Sequence, residues 1–264
     1  MKRLSICLAL MLSMVLAVAS TASADALAEI VKRGELRVAV QTQCPPFSFL
    51  DKNGDRTGSS VEFCRLMAKE MGVKIKFMDF DWDGLIPALL SGKADMLAAD
   101  MTANLQRALK VSFTDAFYYT GSVAVAKADS KITSWDEINK EGMKVAVLLG
   151  GTGEADAKRL FPNAEIKSYK GGGPMLLNAI MAGKADVAVN DKTSISGSLA
   201  SFPPNSTHFV GDIMSKQPLA FAVRHEDETL RQWINLFFGW VKSDGRYDEN
   251  IKYWVDSKAW EKDH

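Results

Sequence analysis

The chain has 264 residues, with 32 Lys and Arg against 32 Asp and Glu, so its formal net charge is zero. A balanced surface sets up no field toward a polyanion, which argues against nucleic acid or an anionic surface as the main partner. His208, His225 and His264 are isolated in the sequence and carry no metal-ligand spacing, and no cofactor motif is present.

Lys2 and Arg3, an apolar run over residues 4–18 and the small triplet Ala22-Ser23-Ala24 read as a secretory signal peptide over residues 1–24, cleaved before Asp25. The run is shorter than the ~20 residues a membrane span needs. Cys7 lies inside the signal, too early for lipid attachment, so an unanchored exported protein is expected. About 240 residues then remain, enough for two cores of ordinary domain size. Cys44 and Cys64 can form one disulfide or stay as two buried thiols; a bond closing their 20-residue separation would stabilise by about 3 kcal/mol.

Residues 36–40 read as a short buried strand that empties into a loop at Pro45-Pro46. Phe63, Leu66, Met67 and Met71 fall at helical spacing within 61–71, and Gly72 supplies the stop. A strand over 73–77 follows. Leu85, Ile86, Leu89 and Leu90 mark one helix face, with Pro87 in the first turn and Gly92 at the end, ahead of a strand over 96–99. The second half repeats the order: a strand over 144–149, a turn at 150–153, a helix over 155–160, a strand over 166–169, a proline-opened helix over 174–181 and a strand over 187–189. Gly150 to Gly153 lacks the Lys-Ser/Thr of a phosphate loop and is read as a simple turn. Trp233, Phe237, Trp240 and Val241 are read as core packing at helical spacing. The alternation predicts an α/β fold with largely parallel sheets.

The halves can be aligned residue by residue. An offset of 91 superposes Ala88, Gly92, Lys93, Ala94, Asp95, Asp100 and Thr102 on Ala179, Gly183, Lys184, Ala185, Asp186, Asp191 and Thr193. Two similar lobes are implied. Ligands gather outside the carboxyl ends of parallel strands, where Asp100 and Thr102 sit in one half and Asn190, Asp191 and Thr193 in the other. Two such edges facing each other make a cleft.

The residues just quoted, with Pro45-Pro46-Phe47-Ser48-Phe49, Gly84 to Leu89, Met101-Thr102 with Arg107 five residues on, Phe113-Thr114-Asp115 and Gly151-Thr152-Gly153, resemble the polar amino-acid-binding proteins of bacterial ABC importers, solute-binding family 3. The resemblance covers nearly all of the chain after residue 24. It implies a two-lobed periplasmic-binding-protein fold of type II, each lobe a mostly parallel sheet flanked by helices. The expected division is 25–119 with 219–264 as lobe 1 and 120–218 as lobe 2, with two hinge segments near 117–121 and 216–220. A monomer in the periplasm is implied, binding one polar amino acid without a cofactor and passing it to the membrane subunits of an ABC permease.

A zwitterion carries two charges, each costly to bury unpaired. Arg107 is expected to clamp the carboxylate bidentately. Thr102 and the amides near Asp100 and Gly153 would add donors. By the resemblance, Asp191 accepts from the ammonium group and Trp82 covers the aliphatic part of the ligand. Gln41, Cys44, Ala99, Leu149 and Asn190 complete the expected site. The chain departs from the family at Gln41, often an acid; at Cys44, often aromatic; at Asp100, usually Gly or Ser; at Asn104, commonly threonine; and at Leu149, often polar. Gln41 and Asn190 suggest amide recognition, whereas Asp100 suits a basic ligand or caps its own loop. The alternative function is a cyclohexadienyl or arogenate dehydratase on the same fold, with Asp100 or Glu154 as general acid.

Overall fold

The computed structural model describes residues 25–257 and 259–264. The expected signal peptide lies outside the described residues. The chain enters on α1 (Ala26–Arg33), capped by Asp25 and stopped at Gly34 in the left-handed region. It continues through β1 (Glu35–Gln41), α2 (Ser59–Met71), β2 (Lys74–Phe80), α3 (Leu85–Leu90) and β3 (Met96–Thr102). After β4 (Tyr118–Lys127) come β5 (Lys144–Leu148), α4 (Thr152–Leu160), β6 (Glu165–Tyr169), α5 (Gly173–Met181), β7 (Val187–Asp191) and α6 (Lys192–Ser198). The long strand β8 (Thr207–Val223) returns the chain, and α7 (Glu228–Ser243) and α8 (Arg246–Ile251) finish the first lobe.

One sheet threads both lobes in the order β2-β1-β3-β8-β4-β7-β5-β6. Its outer strands mirror each other: β1 lies between β2 and β3 with parallel pairing, and β5 lies between β6 and β7 likewise. Between them run β4 and β8, antiparallel to each other and long enough to serve both lobes. The register between them shifts from Val210 to Ser215.

The predicted repeat recurs atom for atom. Asp95 accepts from the Arg37 amide at 2.8 Å, and Asp186 accepts from the Lys144 amide at 2.8 Å. Gly92 and Gly183 take φ of 70° and 67°, which glycine adopts without the strain a Cβ would bring. Strand alternation then sends side chains to opposite faces. Val38 and Val40 join α2 and α7 in one core, while Ala39 packs with Leu85 and Leu89 of α3. In the second lobe Val145 and Val147 face Ala157 and Phe161, and Ala146 faces Leu176, Leu177 and Ile180.

One expectation changes and one open reading closes. Phe237 and Val241 are buried and Trp233 packs at the margin, but Trp240 is 64% exposed. The core stripe of α7 is Leu230, Ile234, Phe237, Phe238 and Val241, and at 3.6 residues per turn Trp240 lies about 100° from its centre. Cys44 and Cys64 are free, buried thiols, the second of the two open readings. Cys64 sits inside α2, whereas Cys44 faces the Ser194 hydroxyl at 3.7 Å.

Candidate functional site

The carboxyl ends of β1, β3, β5 and β7 meet around one cavity, a space of about 430 Å³ once the open solvent at its mouth is counted. Gln41, Cys44 and Phe47 line it from β1 and the following turn, Trp82 from the segment before α3, and Asp100 and Thr102 from β3. Leu148, Gly151, Thr152, Asn190, Asp191 and Ser194 form the opposite wall, and Leu219 of β8 closes the back. Ala99, Leu149 and Gly153 stand outside this lining. Ala99 points the other way from Asp100, into the core with Leu85 and Leu89, as strand alternation requires. Leu148 takes the cavity wall while Leu149 is 38% exposed. Gly153 lets α4 approach β7, since a Cβ there would meet the Val189 carbonyl oxygen at 2.7 Å.

Phe47, Leu148, Gly151, Thr152, Ser194 and Leu219 had not been singled out as binding residues. Gly151 and Thr152 were visible as a turn, and Ser194 sits three residues beyond Asp191, the i+3 position where an acidic cap draws a backbone amide. Asp191 does cap α6, its Oδ1 accepting from the Ser194 amide at 2.9 Å. Asp100 accepts from the Ser60 hydroxyl through Oδ1 and holds φ at +54°, an uncommon conformation for a non-glycine residue.

Each of these acids keeps a second oxygen, Oδ2, that is buried without a hydrogen-bond partner. An unpaired buried acceptor is costly, so two of them lining one cavity point to a ligand that brings donors. Burial pushes the Asp191 carboxyl up to about 6, against the lowering effect of the Ser194 amide. Burial also raises Asp100 well above the usual carboxylate range, with Asp191 adding to the rise. Cys44 is likewise raised by burial and by Asp100, which disfavours its thiolate.

Arg107, expected as the carboxylate clamp, also stands outside the lining and bridges the two walls beside it from the short helix Leu105–Ala108. Its Nη1 donates to the Thr102 carbonyl at 2.9 Å and its Nη2 to the Gly150 carbonyl across the cleft at 3.0 Å. The guanidinium lies over the Trp82 ring at 5.1 Å, and burial lowers its pKa to about 10, so it keeps its charge. Asn104 caps that helix by accepting from the Arg107 amide at 2.9 Å.

Gln217 of β8 ties the walls together. Its Oε1 accepts from the Thr102 and Thr152 hydroxyls at 2.9 and 2.8 Å, and its Nε2 donates to the Ser122 and Ser215 hydroxyls at 2.8 Å each. The lobes also touch directly: Gln41 Nε2 donates to the Gly171 carbonyl at 3.1 Å, and Lys170 pairs with Asp83 at 3.1 Å. A Cβ on Gly172 would meet the Gln43 carbonyl at 2.2 Å, and one on Gly197 the Pro45 carbonyl at 2.3 Å. Glycines therefore permit backbone contact between the lobes. Glu154 is held apart from the cavity by the Gly150 amide at 2.6 Å, Lys158 at 2.7 Å and Ser168 at 2.8 Å, and its pKa is lowered, the reverse of what a general acid needs. Among the described residues no cluster of three or more His, Cys, Asp or Glu is placed to hold a metal ion.

A two-lobed α/β protein with an enclosed cavity between the carboxyl edges of its sheet strands, lined by buried charges, defines the class of cleft-binding proteins for small polar solutes. The profile of the bacterial extracellular solute-binding proteins, family 3, matches residues 36–257. The chain belongs to that family. It is 29% identical over 228 residues to a probable histidine-binding protein of Neisseria gonorrhoeae, covering 85% of each chain. The crystal structure of the ancestral amino acid-binding protein AncCDT-1, a precursor of cyclohexadienyl dehydratase, superposes with a TM-score of 0.80 at 38% identity, over 87% of this chain and 99% of that one. A putative ABC-transporter binding component of Wolinella succinogenes, complexed with lysine, gives a TM-score of 0.80 at 32% identity, over 86% and 98%. These relatives are binding proteins for amino acids.

Proposed function

We propose that this chain is a periplasmic solute-binding protein that captures one polar amino acid between its lobes and delivers it to the membrane subunits of an ABC permease, acting as a monomer and without catalysis. The observation that carries this reading is the meeting, in one cleft, of Arg107 with two carboxylates that each leave a buried oxygen unpaired. A zwitterion supplies the complement to both signs. In this reading lobe 1 is 25–119 with 219–264, lobe 2 is 120–218, and the hinges lie near 117–121 and 216–220. Arg107 exchanges the neutral Gly150 carbonyl for the ligand carboxylate, a charged acceptor that suits its two parallel donors. Asp191 receives the ammonium group, Thr102 and Asn190 add polar contacts, and Trp82 lies against the ligand's aliphatic part. Calorimetric titration of the purified protein against the twenty common amino acids tests the reading. Binding at micromolar concentration or tighter, with the ligand recovered unchanged, supports it; no binding of any amino acid overturns it.

One observation favours a second reading. Asp100 has the raised pKa of a general acid and lines the cavity. A dehydratase would use it to protonate the leaving hydroxyl of a carboxylated ring, which departs as water while the ring carboxylate leaves as carbon dioxide and its bonding pair completes the aromatic ring. Consumption of prephenate or arogenate by the purified protein would replace capture with catalysis.

A further inference from the structure

One hydrogen-bond network in the cavity wall reaches well beyond the cavity, and it ends on Asp156. Helix α4 presents Thr152 and Asp156 at i and i+4, on one face and about 5–6 Å apart. The buried Gln217 side chain lies between them with its two ends held separately. Its Oε1 accepts from the Thr152 hydroxyl at 2.8 Å, and its Nε2 lies 3.2 Å from Asp156 Oδ2. Strand pairing sets Ser215 opposite Ser122, and Nε2 donates to both hydroxyls at 2.8 Å. The Ser215 hydroxyl in turn donates to Asp156 Oδ2 at 2.8 Å, and Arg159 pairs with Asp156 Oδ1 from the solvent side at 2.9 Å. Asp156 itself does not line the cavity.

The charge on Asp156 gives this network one direction. Burial works against that charge, but Arg159 and the Ser122 and Ser215 hydroxyls outweigh it and hold the pKa below the usual carboxylate range. A carboxylate offers only acceptors, so the amide must turn a donor toward it; the reverse orientation would set Oε1 against Asp156 Oδ2, oxygen against oxygen. With Nε2 committed there, Oε1 faces Thr102 and Thr152, one on each wall of the cavity, and each hydroxyl spends its single proton on that oxygen. What both hydroxyls keep for the cavity is lone pairs. Without the charge the amide is free to turn, and the two hydroxyl protons then swing into the space where an amino acid brings N–H donors of its own.

We propose that Asp156 is a positioning residue for solute capture: it acts through Gln217 without reaching the cavity, and fixes the Thr102 and Thr152 hydroxyls as acceptors on the two walls. The proposal rests on the amino-acid capture put forward above and adds to it a residue outside the cavity that controls affinity. A bond from the ligand to a correctly turned hydroxyl exists only in the bound state, so its loss speeds release and leaves the rate of encounter unchanged.

Calorimetry of the purified parent protein against the twenty common amino acids first identifies the tightest-binding one, which then serves as the probe for every variant. Asp156→Asn keeps the size of the side chain and removes the charge that forbids an oxygen opposite it. The expected result is binding at least fivefold weaker, with stopped-flow kinetics placing the loss in the dissociation rate. In a Gln217→Ala background there is no amide to orient, and the same substitution is expected to change affinity less than twofold; Gln217→Met, of similar length, replaces that background if the alanine variant does not fold. A loss smaller than fivefold in Asp156→Asn, or one carried by the association rate, overturns the proposal while amino-acid capture stands. So does a loss of twofold or more in the background without the amide, which would make Asp156 a prop of α4 acting independently of Gln217. A parent protein that binds no amino acid overturns capture and the proposal with it.

Discussion

Gly197→Ala separates the closed arrangement from the fold that carries it. A Cβ at this position would stand 2.3 Å from the Pro45 carbonyl oxygen and 2.7 Å from the Pro46 nitrogen, all backbone atoms of the other lobe. An ordinary C···O contact begins near ~3.3 Å, so the two backbones must part by about 1 Å. No flexible side chain is there to yield. Overpacking of this kind costs about 1–3 kcal/mol, which corresponds to about fivefold to 150-fold in affinity if the cost falls only on the closed form. Within α6 the same substitution is favourable, since alanine is a better helix residue than glycine by about 0.5–1 kcal/mol. The two effects have opposite signs in two assays. Calorimetry with the tightest-binding amino acid is expected to show weaker binding, while the empty protein melts at or above the parent temperature. A variant that binds within twofold of the parent would refute the view that Gly197 forms a seam between closing lobes. Gly172→Ala, which meets the Gln43 carbonyl at 2.2 Å, is expected to behave alike in binding.

Arg107→Ala is expected to weaken amino-acid binding by about 2–5 kcal/mol, since the ligand carboxylate loses a charged bidentate partner, and titration calorimetry reads this directly. The empty protein is expected to lose stability relative to Asp191→Asn as pH rises from about 4 to about 6.5. Asp191 has its pKa raised from 3.8 to about 6, so over that window the folded chain binds more protons than the unfolded one, and raising pH favours unfolding by up to about 3 kcal/mol. Thermal melts of parent and variant across that range check the sign, and parallel curves would remove Asp191 as its source. Asp95→Ala is expected to cost about 2 kcal/mol in chemical denaturation without changing amino-acid affinity. It removes a buried carboxylate held by Arg37 at 2.7 Å and by the Arg37 amide at 2.8 Å, far from the cleft wall.

The elements were legible because each is encoded locally. The period-3.6 spacing of Phe63, Met67 and Met71 and the glycines at 72, 92 and 183 mark helix faces and ends that tertiary packing did not override. The repeat was legible because Asp95 and Asp186 make the same backbone bond in both lobes. Which side of a strand end faces the cavity was less legible. Choosing Ala99 beside Asp100, and Leu149 where Leu148 lines the wall, are both slips of one residue, and one residue reverses the direction of a strand side chain. Phe47 and Leu219 reach the cavity through contacts distant in sequence, and only Ser194 carries a local mark, its place three residues after the cap Asp191. Gln217 is the instructive omission. It lies in the stretch read as a hinge, yet its importance comes from partners on three other segments, Thr102 on β3, Ser122 on β4, and Thr152 and Asp156 on α4.

The pairing of β4 with β8 places Tyr119 opposite Pro218 and Thr120 opposite Gln217. The two ends of the segment between them therefore leave the first lobe side by side, as adjacent rungs of one ladder. A segment with neighbouring ends can be lifted out of a chain and replaced by another of different length, so long as the same rungs are rebuilt at the junction. On the proposed lobe division, residues 120–218 would form a natural cassette. It carries Asp191, Thr152 and Ser194, whereas Asp100, Arg107 and Trp82 stay behind. Recombination between relatives could trade one wall of the cleft in a single step and leave the other wall, with its own half of the recognition chemistry, untouched.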